Sequence, residues 1–175
     1  MDFIQLSSIK NKYFYDAWRL YEESFPIDER RELESQIRIM NHLNYNFEAI
    51  IIDTELIGLI AWWNFYDLRF LDHFAIKQLH RGKGIGTQVL ETFKNLDTLP
   101  IILEVDIPDK LINQRRIEFY EKAGFNLNKY SYQQPPLRKE GKSVALLTMS
   151  YPEPFFKKDI NHFIKNYHPI IYQIM

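Results

Sequence analysis

Apolar residues along this chain follow two periods, and the switches between them mark the elements. Phe3 to Leu6 is a short first strand. From about Asn11, Tyr13, Ala17, Leu20 and Tyr21 recur at spacings of three and four, the signature of a helix with one buried face. Pro26 ends it, because proline disfavours the helical conformation of the residue before it. Asp28 then suits the N-cap of a second helix, with Leu33, Ile37, Met40 and Leu43 as its buried stripe. Phe47–Ile52 and Ile57–Tyr66 read as an antiparallel hairpin around Asp53-Thr54-Glu55, and Leu68–Ile76 as a third consecutive strand. A helix from Gly86 to about Leu96 follows, with Val89, Phe93 and Leu96 on one side, then a short strand from Pro100 to Val105. Ile112–Ala123 is helical, with Gly124 placed as the left-handed residue past its end. Phe125–Tyr132 and Val144–Ser150 complete the strands. A last helix carries Phe156, Ile160, Phe163 and Ile164 on one face, and Pro169 is expected to stop it.

The order is β, α, α, three strands, then α, β, α, β, β. Such an order predicts an α+β (mixed α/β) fold, a central, mostly antiparallel sheet with helices on both faces. Residues 1–150 are expected to form one domain and 151–175 a helical extension, packed on that domain or at an oligomer interface. The chain has 175 residues, a formal net charge of -1, and 46% apolar with 26% charged residues, so no overall basic field draws it to nucleic acid or to an anionic membrane. With no cysteine, thiolate catalysis, disulfides and zinc-thiolate sites are excluded. The five histidines show no metal-ligand spacing, and no metal is expected. The first residues lack the basic and apolar regions of a signal peptide, so the expected location is cytoplasmic.

Only six glycines are present, and three of them, Gly82, Gly84 and Gly86, fall within the five residues 82–86, between the third strand of the run and the next helix. Glycine there lets backbone approach a ligand closely. A Walker-type loop does not fit, because Lys83 is followed by Gly84 rather than Ser or Thr. The dinucleotide fingerprint does not fit either, since the spacing is G-x-G-x-G after antiparallel strands. A plain tight turn before a helix is the bland alternative. The third reading is Arg81-x-x-Gly84-x-Gly86 placed directly between strand and helix. That segment resembles the signature of the GNAT acetyltransferase superfamily.

A second block is similar to the same family: Leu103-Glu104-Val105, then Asn113, then Phe119-Tyr120-Glu121-Lys122-Ala123-Gly124-Phe125. Together the blocks span about Leu71 to Phe125, and the final helix lies outside the resemblance. The family usually carries a small residue where this chain has Arg116. The resemblance implies a GNAT-like fold and acetyl-CoA as co-substrate. It carries cofactor binding onto Phe74, Ala75 and Ile76, onto Arg81, Gly82, Lys83, Gly84, Ile85, Gly86 and Thr87, and onto Asn113. It implies Tyr120 as general acid. From the residues themselves, Glu104 is the first candidate for the base, since it sits mid-strand between apolar neighbours, with Asp72 and Asp106 as rivals.

The expected reaction is transfer of the acetyl group to a primary amine of a small molecule or peptide by direct attack. The acceptor would lie among Phe25–Arg30, the aromatic run Trp62–Tyr66 and the Tyr132–Pro136 loop. A non-catalytic acyl-CoA-binding regulatory module of the same fold is the alternative, and an unrelated interaction protein a further one. A homodimer is possible on this reading; a nucleic-acid or membrane partner is not expected.

Overall fold

The two periods resolve into a single seven-stranded sheet with helices on both faces, in a computed structural model that describes residues 1–173. The last two residues of the expected extension lie outside the described residues. In chain order the elements are β1 (Asp2–Gln5), α1 (Phe14–Ser24), α2 (Leu33–Ile39), β2 (Tyr45–Ile52), β3 (Glu55–Asn64), β4 (Arg69–Ile76), α3 (Ile85–Lys94), β5 (Ile101–Asp106), α4 (Leu111–Lys122), β6 (Asn126–Gln134), β7 (Val144–Tyr151) and α5 (Lys157–Ile171). The strand order is β1-β2-β3-β4-β5-β7-β6. Every neighbouring pair is antiparallel except β4 and β5, so the expected α+β fold with a mostly antiparallel sheet is what forms.

One face of the sheet is covered by α3 and α4 through Val89, Leu90, Phe93, Ile117 and Tyr120. The other is covered by α1 and α5 through Phe14, Ala17, Tyr21, Ile160 and Phe163. Leu103 and Val105 of β5 join the first layer while Ile102 joins the second, the alternation that a strand buried on both faces requires.

Arg69 fastens the start of β4. Its buried guanidinium donates to the carbonyls of Phe93, Lys94, Asp97 and Leu99, holding the C-terminal end of α3 and the loop after it. A cation at that end also meets the negative pole of the helix.

Three expectations differ from the structure. Asp28 does not cap a helix; it lies in a short 3-10 turn, Ile27–Glu29, and α2 begins only at Leu33. The break occurs because Arg31 is drawn inward, its N–H to the Tyr21 hydroxyl (2.7 Å) and its side chain to Asp72 (2.8 Å). Leu43 and Leu96 are exposed, since α2 and α3 end before reaching them, and Gln36 rather than an apolar residue is the fully buried member of α2. Pro169 does not stop α5, which runs on to Ile171 and closes with Tyr172 N–H on His168 O at 2.9 Å. A proline inside a helix costs about 3 kcal/mol. Burial of Ile171 and Tyr172 against the sheet offsets it.

Candidate active site

The parallel pairing of β4 with β5 lasts only from Arg69↔Ile101 to Leu71↔Leu103. Against β3 the register skips Asp72, pairing Trp62 with Leu71 and Ala61 with His73. A bulge of this kind bends its strand. It also brings Asp72 and His73 to the α1 side together, Asp72 on Arg31 and the His73 ring against Tyr21 and Phe25. Past the bulge the two strands diverge around a cleft of about 510 Å³. Residues 72–76 of β4 form one wall and 103–106 of β5 the other. The β4 edge facing the cleft has no strand partner there, leaving alternate backbone N–H and C=O groups for a ligand.

At one end of the cleft lies the glycine turn. Arg81 Nε donates to Ile76 O at 2.8 Å, folding the turn back on the end of β4. Gly84 caps α3 with φ +77, a left-handed conformation that favours glycine. A Cβ on Gly82 or Gly84 would meet nothing within 4 Å, so both face open space along the cleft. The first intrahelical bond is Gln88 N–H on Gly84 O at 3.1 Å, and the N–H groups of the first turn before it have no carbonyl to meet. These features fit a pyrophosphate, which would accept those N–H bonds at the positive end of the helix. Gly86 serves a different purpose. A Cβ there would lie 3.2 Å from the Phe119 ring, so Gly86 lets α3 and α4 pack closely.

At the inner end is Glu104. Its side chain leaves β5 on the α5 side of the sheet and accepts three hydrogen bonds: from the hydroxyls of Tyr132 and Tyr172 on Oε1, and from Gln134 Nε2 at 2.7 Å on Oε2. Burial pushes its pKa up to about 7, and the donors hold it from going higher. Asp72 is equally buried, yet its pKa falls below the usual carboxylate range. The Arg31 guanidinium, with help from His73 and the Trp63 indole, outweighs the burial that would raise it. Asp106 at the rim is ion-paired with Arg116. Of the three carboxylates, Glu104 alone lacks a cationic partner. Tyr120 enters from the opposite face, among Phe119, Phe125 and Ala123. Burial pushes its phenol up to about 12.

A family model for the acetyltransferase (GNAT) domain matches residues 45–127, from β2 to the start of β6. A GNAT-family acetyltransferase structure from Bacteroides thetaiotaomicron superposes over 100% of both chains, with a TM-score of 0.91 and 29% identity. The matched residues, 45–127, are those of a GNAT acetyltransferase domain. An aminoglycoside 6'-N-acetyltransferase complexed with coenzyme A shares the fold at a TM-score of 0.64 and 16% identity, over 89% of this chain and 100% of that one. Streptothricin acetyltransferase of Escherichia coli is 32% identical over 79 residues, 43% of this chain and 44% of that enzyme. The match thus spans under half the length of that curated relative.

Within this GNAT fold, the candidates Phe74, Ala75, Ile76, Arg81, Gly82, Gly84, Gly86, Thr87, Glu104 and Tyr120 all line the one cleft. Lys83 and Ile85 belong to the same turn but do not line it. Asn113 lies away from it. Its amide donates to Ile107 O (3.2 Å) and Asp109 Oδ1 (3.0 Å), bracing the loop that enters α4. Arg116, in place of a small residue, does line the cleft and bridges to Asp106 across its rim. Sequence reasoning missed the partners of Glu104. Tyr132 and Gln134 stand two apart on β6 and so share a face, a signal that was there to read. His168 and Tyr172 stand four apart, but Pro169 between them hid the helical spacing.

Proposed function

We propose that the chain is an N-acetyltransferase that moves the acetyl group of acetyl-CoA directly onto a primary amine. The observation that carries this reading is the divergence of β4 from β5, with the Gly84-capped helix at one end and Glu104 at the other. Acetyl-CoA would bring the activated thioester carbonyl. The chain supplies four things around it. The first turn of α3 and Arg81 would hold the pyrophosphate. The unpaired edge at Phe74–Ile76 would take the pantetheine arm, and one N–H there would polarise the carbonyl, a contribution of about 3–4 kcal/mol. Glu104 would remove the proton of the acceptor ammonium. Tyr120 would hydrogen-bond the sulfur of the leaving thiolate.

Magnitudes sort the acid and base roles. An alkylammonium of pKa ~10.4 costs about 4–5 kcal/mol to neutralise at pH 7. A carboxyl raised to about 7 is a better-matched base than an ordinary one, and far better than Asp72, which stays locked on Arg31. A phenol at about 12 is a poor proton donor to a thiolate of pKa ~8.5, so the Tyr120 hydroxyl acts by hydrogen bonding rather than full transfer. The name of the streptothricin enzyme supports a small-molecule acceptor for this chain too. One observation favours the non-catalytic alternative, namely that Glu104 already accepts three hydrogen bonds. That reading predicts coenzyme A binding with no turnover.

Thiol release from acetyl-CoA in the presence of an amine library tests the transferase reading, and calorimetry with coenzyme A tests its foundation. Absence of coenzyme A binding would end it. In the active enzyme, kcat/KM is expected to rise with pH through about 7 as Glu104 ionises, and Glu104→Gln to lower it by about 10²–10⁴ without weakening coenzyme A binding.

A further inference from the structure

Glu104 is joined to His168 of α5 by a continuous line of hydrogen bonds. Tyr132 of β6 donates to Glu104 Oε1 and is itself 2.7 Å from His168 Nε2. His168 packs against Tyr132, Phe163 and Tyr172 and is only half-buried, so part of it meets solvent. We propose that Glu104, Tyr132 and His168 form a proton path from the cleft to solvent at the half-buried His168, with Tyr172 positioning Glu104. This rests on the transferase reading above.

A bound acyl donor and acceptor would occupy the cleft, so a proton taken from the acceptor would need another way out. The transfer balances with protons alone. Glu104 gains one from the acceptor ammonium and passes one to the Tyr132 oxygen. Tyr132 passes its own hydroxyl proton to His168 Nε2, and the imidazole releases its Nδ1 proton to water. No other bond forms or breaks. Afterwards Glu104 is again a carboxylate receiving the Tyr132 hydroxyl, which is the arrangement the structure contains.

The surroundings suit this task. Burial lowers the His168 pKa to about 4, so near neutrality the ring is uncharged and can hold its one proton on either nitrogen. Other polar groups facing Glu104 do not provide an exit. Gln134 offers an amide, Tyr172 ends on Glu104 itself, and Asp72 is fixed by Arg31, Trp63 and His73. The Tyr172 hydroxyl shares Oε1 with Tyr132 and keeps that oxygen aimed along the path. Arg31 also donates to Ile171 O at 3.3 Å, which fastens the end of α5 that carries Tyr172.

The path makes a prediction that needs neither coenzyme A nor acceptor. As Glu104 ionises, Tyr132 must turn from His168 toward Glu104, and His168 must change from the Nδ1–H to the Nε2–H tautomer. Imidazole-nitrogen NMR on the full chain, with carboxyl-carbon NMR of Glu104, reads both between about pH 5 and 9. The expected result is one shared midpoint. Tyr132→Phe should abolish the His168 change, and Tyr172→Phe should preserve it while raising the midpoint, because a donor to the carboxylate is lost. His168→Gln, which has no second tautomer, guards against a folding artefact in Tyr132→Phe. Both should lower turnover about tenfold or more in dilute buffer, with partial recovery on adding imidazole, a small proton carrier. A His168 tautomer that stays constant through the Glu104 titration, or that still changes in Tyr132→Phe, overturns the path. If wild-type protein releases no thiol with any amine, the transferase reading fails instead, and the NMR result still decides whether the path exists.

Discussion

Two carboxylates on neighbouring strands show how little residue type fixes chemistry. Asp72 and Glu104 are both buried, yet the first is pulled below its ordinary range by Arg31 while the second is pushed up to about 7 for want of a cation. At the turn, Gly84→Ala should leave a folded protein about 1–2 kcal/mol less stable, because its φ of +77 is costly for any residue with a Cβ. Its coenzyme A affinity should fall further, by tenfold or more in calorimetry, because the added methyl enters the open space beside the cleft. On the β2–β3 turn, Asp53 (φ 48) and Thr54 (φ 68) both adopt the left-handed conformation without being glycine. Thr54→Gly is therefore expected to raise stability by about 0.5–1 kcal/mol in urea unfolding, with activity unchanged. Tyr13 keeps its bond to the Thr54 carbonyl in that variant, since the acceptor is backbone.

Among the elements, α5 departs most from its sequence pattern. Pro169 reads as a stop signal, and it is one residue past His168 and three before Tyr172. The helix continues because Ile171 and Tyr172 are buried and Tyr172 reaches Glu104, gains that local propensity does not register. Pro169→Ala should then raise the melting temperature, by recovering a backbone hydrogen bond and relieving the ring against the preceding turn. A gain of about 1–3 kcal/mol is the expected size. A fall in stability would mean that the proline sets a bend the helix needs. At the start of β4, Arg69 satisfies four carbonyls, two in the last turn of α3 and two in the loop after it. Arg69→Met should cost about 3 kcal/mol or more, since those carbonyls lose a charged donor that no neighbour replaces.

For the molecule as a whole, Glu104 and His168 pull its stability in opposite directions with pH. Glu104 binds a proton more tightly when folded, its pKa moving from 4.5 to about 7, so its contribution is lost as pH rises through that window. Over the full shift the loss is about 3 kcal/mol. His168 binds a proton less tightly when folded, moving from 6.5 to about 4, so its contribution is lost as pH falls. Solvent screens the half-buried ring and trims its share. The two oppose each other between about pH 4.5 and 6.5, while Glu29 and Glu48, whose pKa values burial also raises, act with Glu104. Wild-type stability should therefore fall there as pH rises, less steeply than it would without His168. Urea unfolding on single variants should unmask each. Relative to wild type, Glu104→Gln should gain stability as pH rises across that range, and His168→Gln should lose it.

The sequence by itself determined the element order, the two apolar faces, the glycine turn before α3 and the family likeness, because periodicity and turn chemistry act over a few residues. Leu103, Glu104 and Val105 already read as a strand with one polar position among apolar ones. Only the tertiary structure decided what that position is. The split between β4 and β5 opens it to a cleft, Tyr132 and Gln134 come from a strand two places away in the sheet, and Tyr172 comes from a helix that local rules end too early. Whether a carboxyl ionises depends on charges and donors brought from distant parts of the chain. That is why the glycine turn was legible from residues 81–86 alone, and the environment of Glu104 was not.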